Sequence, residues 1–101
     1  MGGFVYLLCD GEKFKIGMTK HKDIYKRIKE LQTGNPNEIW LAAYHKTNYP
    51  YKIEKLMHMR HHRDRILNEW YDLDAHSVAH FNDECKICEE IVNVLKDNPF
   101  F

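Results

Sequence analysis

Four side chains between residues 6 and 54 have the types and positions suited to acid–base, phosphate-binding or metal-binding chemistry, and the first two are Tyr6 and Lys15. Tyr6 lies inside an apolar run, and Lys15 lies in the alternating segment that follows. Asp10-Gly11 between them is a strong two-residue turn signal, so the segments should pair as a hairpin with Tyr6 roughly opposite Lys15 on one face. An ammonium beside a phenol lowers the tyrosine pKa, which would make Tyr6 a general base. A core tyrosine beside an edge lysine whose stem reaches outward fits the same spacing.

Arg27 and Glu54 are the other two side chains. The fork of an arginine can hold a phosphate through two hydrogen bonds, although Arg27 has lysine neighbours and also fits a solvated helix face. Glu54 is the only acid within residues 39–63, and four basic residues surround it: Lys52, Lys55, Arg60 and Arg63. A single carboxylate in basic surroundings suits a magnesium ion held between protein and phosphate oxygens. The alternative is an ordinary helical pair of Glu54 with His58.

Three short segments have the composition of β-strands, and they must carry these side chains. Two of them form the hairpin of Tyr6 and Lys15, and the third is the apolar run at residues 39–44. Residues 68–73 form a further short extended or turn segment. The first pair must be antiparallel, because a tight turn connects its strands. The sequence therefore predicts a three-stranded, mainly antiparallel sheet.

Three helices are predicted from apolar residues that recur every three or four positions. The first begins at the N-cap Asp23 and ends at Gly34, which can take the left-handed cap conformation. The second runs to about Arg63. The last is capped by Asp74 or Ser77, and its apolar stripe consists of Ile87, Ile91, Val94 and Leu95. Strands and helices in this order predict a small α+β sandwich.

The charge of the chain is unevenly distributed, although its formal net charge is zero over 101 residues. Residues 1–67 carry 13 Lys and Arg against 7 Asp and Glu, whereas residues 68–101 carry 2 against 8. The length predicts one domain spanning residues 1–101. A basic part can present a face to nucleic acid even in a neutral protein, although two solvated surfaces without a partner fit the same charges. The residues expected to contact phosphates are Lys13, Lys20, Lys22, Lys26, Arg60 and Arg63.

A second constellation combines His76, His80, Cys85 and Cys88, which have the residue types of a zinc site. The preferred interpretation is that the two thiols lie inert on the buried side of the last helix. Cys9 makes the cysteine count odd, and no segment reads as a signal peptide. These features predict free thiols in a reducing, cytoplasmic or nuclear compartment. The apolar runs are too short to span a bilayer, so no membrane association is expected.

Five segments occur in a characteristic order between residues 4 and 73: FVYLL, KIG, KRIKELQTGNP, IEKLMH and NEWYDL. Their order and spacing resemble the GIY-YIG nuclease superfamily, and most of all its T5orf172 or MUG113-like branch of short viral and phage proteins. The resemblance implies a GIY-YIG-like sandwich with residues 74–101 as a C-terminal helix, in a virus- or phage-infected cell. It implies an endonuclease that hydrolyses phosphodiester bonds in nucleic acid, DNA ahead of RNA. It also implies one divalent metal ion, Mg²⁺ or Mn²⁺.

The resemblance assigns a catalytic role to five residues. Tyr6 stands where the family has the tyrosine of its first motif and would act as the base. Arg27 matches the helix arginine that contacts phosphate, Glu54 matches the metal ligand, and Asn68 matches a late asparagine near the phosphate. Lys15 replaces the tyrosine of the second motif. Some enzymes of the superfamily have lysine there, paired with the base.

Two further departures from the family pattern leave rival interpretations open. Phe4 replaces the first glycine, and Leu31 replaces a histidine or tyrosine one turn after the arginine, a role that Thr19 or His58 would have to fill. One rival is a catalytically inactive, nucleic-acid-binding module of the same fold. The other is a protein-interaction module that uses its acidic last helix as the contact surface.

Overall fold

The computed structural model describes residues 2–100, which form a five-stranded sheet with helices on both faces. In chain order the strands are β1 (Gly3–Cys9), β2 (Phe14–Thr19), β3 (Trp40–Thr47), β4 (Arg65–Leu67) and β5 (Trp70–Tyr71). The helices are α1 (Ile24–Thr33), α2 (Pro50–Arg60), α3 (Ala75–Ala79) and α4 (Phe81–Leu95). The strand order across the sheet is β3-β1-β2-β5-β4, and every neighbouring pair is antiparallel.

The α+β class is confirmed, but the predicted number of three strands is wrong. The two missed strands form a small hairpin, in which β4 has three residues and β5 has two. All three residues of β4 are exposed, so this strand has no alternation of apolar and polar residues to reveal it. The predicted extended segment at residues 68–73 contains β5.

The first hairpin is confirmed, but its predicted register is wrong. The turn has four residues rather than two, because the Asp10 carboxylate accepts hydrogen bonds from the backbone N–H groups of Glu12 (3.0 Å) and Lys13 (2.8 Å). Tyr6 therefore lies opposite Gly17, and Lys15 lies opposite Leu8. Both side chains still point to the same face, since the shift is by two residues.

Each face of the sheet has its own hydrophobic core. On one face, α1 packs through Ile24 against Tyr6 and Leu8. On the other face, α2 covers β1 and β2 and α4 covers β3, and the buried residues there include Val5, Leu7, Ile16, Ile53, Met57, Phe81 and Val92. Tyr6 therefore faces α1, whereas Ile53 of α2 packs on the opposite side of the sheet.

The ends of α1 and α2 agree only in part with the ends predicted from the sequence. The Asp23 carboxylate accepts a hydrogen bond from the Tyr25 N–H at 3.0 Å, which confirms the predicted N-cap of α1. Gly34 ends α1 with φ of −95°, so the expected left-handed cap is wrong. Helix α2 ends at Arg60 instead of Arg63, and a short 3₁₀ turn follows it.

The predicted last helix is two helices that meet at His80. Asp74 caps α3 by accepting a hydrogen bond from the Ser77 N–H at 2.8 Å, so of the two predicted caps Asp74 is the one used. The predicted apolar stripe is wrong: Val94 is 80% exposed and Ile87 is 44% exposed. The buried face consists of Phe81, Cys85, Cys88 and Val92, whose spacing of four, three and four residues keeps them on one side of a helix.

Candidate active site

The candidate site lies at a notch in the sheet, where β5 ends and leaves an edge of β2 without a strand partner. Strand β5 pairs with β2 only at Phe14 and Lys15. Beyond that point the Ile16 N–H donates to the Glu69 carbonyl at 3.2 Å, and the Met18 N–H donates to the side chain of Glu54. A backbone carbonyl of the β4–β5 turn and a side chain of α2 thus take the place of a strand along this edge and satisfy its backbone N–H groups.

Three potential metal ligands converge at this notch: Glu54, His58 and Glu69. Glu54 and His58 lie one turn apart on α2, with His58 Nε2 4.0 Å from Glu54 Oε2. Glu69 reaches them from the β4–β5 turn, and one donor atom from each residue lies within 4.8 Å of the others. Within residues 2–100 this is the one such group of three. Two carboxylates and one imidazole fit a divalent cation, and a mixed oxygen and nitrogen set suits Mn²⁺ better than an all-oxygen set does.

Burial shifts both titratable groups of α2 at the notch. Removal of the Glu54 carboxylate from water, with the Glu69 charge as the second cause, raises the pKa of Glu54 to about 7. Desolvation lowers the pKa of His58, which favours the neutral imidazole that binds metals. The hydroxyl of the buried Tyr71 hydrogen-bonds Nδ1 of His58 and so orients its ring. At neutral pH an incoming cation therefore competes with a proton on Glu54.

Lys15 is paired with the metal-candidate carboxylates and not with the phenol of Tyr6. Its Nζ lies 3.6 Å from Glu69 Oε2, and its side chain is 19% exposed. Its charge also acts to lower the pKa of Glu54. Lys15 thus balances part of the negative charge that the two glutamates bring to the notch.

Tyr6 is buried beside the notch, with its ring against the backbone of Gly17. A Cβ atom at position 17 would lie 2.5 Å from the Tyr6 hydroxyl oxygen, so only glycine leaves room for the ring. Burial raises the pKa of Tyr6, while the Arg27 guanidinium, which hydrogen-bonds the phenol, acts to lower it. The sequence prediction that Lys15 lowers this pKa is therefore wrong in direction and in partner. The charges of Glu54 and Glu69 both act on the Tyr6 pKa, which places the phenol next to the metal-candidate group.

Arg27 is held between Tyr6 and an acidic bridge on α1. Its Nη1 lies 3.5 Å from Glu30 Oε2, and the other oxygen of Glu30 lies 3.5 Å from His21 Nε2. The guanidinium is 36% exposed, so it can reach a phosphate in solvent. The structure brings Arg27 and Tyr6 together, as the resemblance requires.

Asn68 lies in the β4–β5 turn, next to Glu69. Its φ of 55° is in the left-handed region, which asparagine tolerates better than most residues. Asn68 lines an open depression together with His58 and Glu69. Of the two suggested substitutes for the missing family residue, His58 lies at the site, whereas Thr19 Oγ1 accepts a hydrogen bond from the His21 N–H at 3.1 Å.

Glu69 and Tyr71 are the two site residues that the sequence prediction missed. Glu69 stood inside the recognised NEWYDL segment, next to Asn68. The signal that could have found it is the buried Lys15, which needs an acidic partner once its strand pairs with that segment.

The six predicted phosphate contacts lie in several different elements. Lys20 and Lys22 line an open cleft that also contains Lys46, a residue absent from the prediction. Arg60 Nε pairs with Glu84 Oε2 of α4 at 3.1 Å, which directs this arginine towards α4. The remaining three are exposed at scattered positions in the first hairpin turn, on α1 and in the 3₁₀ turn: Lys13, Lys26 and Arg63.

The four residues of the zinc alternative do not assemble. The rings of His76 and His80 lie 4.2 Å apart and are exposed, whereas Cys85 and Cys88 are fully buried in the core. Burial raises the pKa of both thiols and so opposes the thiolate form that binds zinc. Within residues 2–100, no three of these four residues bring their donor atoms within 4.8 Å of one another. The preferred interpretation of inert buried thiols agrees with this placement.

An α+β domain with carboxylates, an imidazole, a phenol and a guanidinium at one sheet notch has the make-up of a phosphodiester-processing module. A model of the T5orf172 domain matches residues 3–93, and the chain therefore belongs to the T5orf172 domain family. This membership confirms the resemblance found in the sequence and is consistent with a GIY-YIG-like, nuclease-type module that interacts with nucleic acid. No curated protein and no solved structure matches the chain.

A helix that spans a membrane must be both long and apolar. None of the helices within residues 2–100 combines the length and the apolar character that a bilayer crossing requires.

Proposed function

We propose that this protein is a metal-dependent endonuclease of GIY-YIG type, which hydrolyses phosphodiester bonds in nucleic acid and in DNA ahead of RNA. The observation that carries the proposal is the convergence of Glu54, His58 and Glu69 within 4.8 Å, beside the paired side chains of Tyr6 and Arg27. A binding module has no need for acids that repel phosphate, because affinity for the backbone comes from cations. A hydrolytic site needs them to hold a metal.

In this proposal each side chain has a distinct task. Glu54, His58 and Glu69 hold one Mg²⁺ or Mn²⁺ ion, which when bound supplies positive charge for the leaving oxygen. Arg27 holds the non-bridging oxygens of the scissile phosphate, for which its partly exposed guanidinium is placed.

Tyr6 is the proposed base, and it accepts a proton from the attacking water. Because burial raises the pKa of Tyr6, only a small fraction of the phenol is ionised at neutral pH in the free protein. The Arg27 guanidinium stabilises that fraction. Cleavage should therefore speed up as the pH rises above 7, since both Glu54 and Tyr6 must lose a proton.

Lys15 and Asn68 are proposed to support this chemistry. Lys15 offsets part of the negative charge of Glu69 at the notch through its contact of 3.6 Å. Asn68 lies at the rim of the same depression and offers its amide to the phosphate.

The test is cleavage of plasmid, branched and single-stranded DNA by the purified protein with Mg²⁺ or Mn²⁺. Glu54→Gln should abolish cleavage, and Arg27→Ala should reduce it by at least about 100-fold, the typical loss for one transition-state donor. Glu90→Gln, an exposed acid of α4, is the matched control and should cleave like the wild type. Retention of metal-dependent cleavage by both site variants would refute these roles.

The inactive nucleic-acid binder remains the second candidate, because the raised pKa of Tyr6 and the lysine at position 15 both disfavour catalysis. Absence of cleavage on every substrate, together with binding that weakens with salt, would establish this candidate instead. Absence of binding at low salt as well would leave the protein-interaction module.

A further inference from the structure

An open cleft of about 640 Å³ lies where the ends of β2 and β3 meet the start of β1. We call it the strand-end cleft, and its basic lining consists of Lys20, His21, Lys22 and Lys46. Its one acid is Glu89, whose carboxylate lies 3.0 Å from His45 Nε2 and accepts a hydrogen bond from Thr47. The cleft therefore presents three lysine ammonium groups against one acid that already has polar partners.

An aromatic ledge adjoins this cleft at the β3 edge of the sheet. We define the ledge by Tyr44 of β3 and Tyr25 of α1, which line one shallow depression and are 45% and 66% exposed. Phe4 lines the strand-end cleft, and its ring meets the Tyr44 ring edge-on with centroids 5.7 Å apart. Tyr44 and Lys46 point to the same face of β3, and two residues of strand place them about 7 Å apart.

The cleft and the ledge are connected to the candidate active site in two ways. Lys20 follows two residues after Met18, whose N–H donates to Glu54. His21 of the cleft shares the Glu30 carboxylate with Arg27, at 3.5 Å in both contacts. The cleft therefore follows the notch along β2 and shares the acid that holds Arg27.

We propose that the strand-end cleft and the ledge bind a single-stranded segment of nucleic acid. The lysines hold successive backbone phosphates, and a base of the same strand stacks on Tyr44 or Tyr25. Cationic grooves with exposed aromatic rings bind single strands in this way, whereas the bases of an intact duplex are stacked on each other and cannot reach a side chain. The inference deepens the proposed function, because it makes the substrate a nucleic acid with an unpaired segment next to the cut.

The test measures binding without cleavage. A fluorescent 12-nucleotide oligothymidine and a 12-base-pair duplex are titrated with protein in chelator, across a series of salt concentrations. The single strand should bind more tightly than the duplex. Tyr44→Ala should weaken single-strand binding by about 5- to 100-fold, as loss of one stacked base does. Tyr51→Ala removes a tyrosine that is 64% exposed on α2 and should bind like the wild type.

A double variant, Lys22→Gln with Lys46→Gln, tests the phosphate contacts. The slope of log affinity against log salt concentration should fall by about 1.4, because each lost contact to a single strand contributes about 0.7. The control removes two exposed lysines at α4, Lys86→Gln with Lys96→Gln, and should leave the slope unchanged.

Two outcomes overturn the inference: equal or tighter binding of the duplex, or a Tyr44→Ala variant that binds like Tyr51→Ala. Because these measurements need neither metal nor turnover, they are independent of the proposed nuclease activity. Single-strand binding through Tyr44 without cleavage would refute the nuclease and retain this inference. Cleavage of nucleic acid, together with unchanged single-strand binding by Tyr44→Ala, would support the nuclease and refute this inference.

Discussion

Replacing Glu54 with Gln should stabilise the metal-free protein at pH 8, although the change removes a proposed metal ligand. The Glu54 side chain is only 15% exposed, and its pKa rises from an ordinary 4.5 to about 7. In this pH range the folded state therefore holds a proton that the unfolded chain releases. The contribution of Glu54 to the stability of the fold consequently falls as the pH rises from 4.5 to 7. Gln keeps the size of the side chain and an oxygen for the Met18 N–H, but it carries no charge.

The size of the effect follows from linkage. Each pKa unit corresponds to about 1.4 kcal/mol, so the ionised carboxylate costs the fold about 3 kcal/mol at pH 8 and less than about 1 kcal/mol at pH 5. Because the pKa of His58 is lowered, its contribution to the stability of the fold has the opposite pH dependence and increases as the pH rises. That contribution is present in both proteins and largely cancels in their difference, which is therefore the quantity to measure.

The assay is urea denaturation of the wild type and the Glu54→Gln variant in chelator at pH 5 and pH 8, with Glu90→Gln as the exposed control. The stability gain of the variant should grow by about 2–3 kcal/mol between the two pH values. Adding Mn²⁺ at pH 8 should raise the stability of the wild type and not that of the variant, since a ligand stabilises only the state that binds it. A variant that is no more stable than the wild type at pH 8 would refute the desolvated carboxylate, and with it the physical basis of the metal site.

Three further changes test separate parts of the structure. Gly17→Ala places a Cβ 2.5 Å from the Tyr6 hydroxyl and should destabilise the fold by about 1–3 kcal/mol in urea denaturation; an unchanged midpoint would contradict the described packing. Lys15→Met removes a positive charge beside the two glutamates and should tighten Mn²⁺ binding at pH 8.5 by roughly tenfold in calorimetry, whereas weaker binding would mean that the lysine mainly positions its partner. The thiols of Cys85 and Cys88 should react with Ellman's reagent only as the protein unfolds, because both are fully buried; rapid reaction of either in the native protein would count against this core.

The parts of the structure that the sequence predicted depend on local signals. The Asp23 carboxylate caps α1 by accepting a hydrogen bond from the Tyr25 N–H, only two residues away. A short segment of sequence therefore contains the whole interaction. The first hairpin and the α+β class also depend on local signals. The side chains of Tyr6 and Arg27 converge as the family resemblance requires, since the motif fixes which elements carry them.

The parts that the sequence did not predict depend on the side chains of distant residues. The register of the hairpin follows from the Asp10 carboxylate, which lengthens the turn to four residues. The sequence placed Cys85 and Cys88 correctly on the buried side of α4, but it missed the rest of that face, because Ile87 and Val94 of the predicted stripe are exposed. Glu69 joins the site through a strand of two residues, too short for any periodicity to reveal.

The shortness of β5 explains how one site can draw on both faces of the sheet. A longer β5 would pair with β2 beyond Lys15, and the completed sheet would then separate Tyr6 and Arg27 from the carboxylates of α2. Because pairing stops there, the Glu54 carboxylate accepts a hydrogen bond from the Met18 N–H at the sheet edge, within electrostatic reach of the phenol on the other face. The sharp turn at Asn68 places Glu69 at the same opening. The edge of the sheet is therefore where this small fold can bring acids, imidazole, phenol and guanidinium to one site.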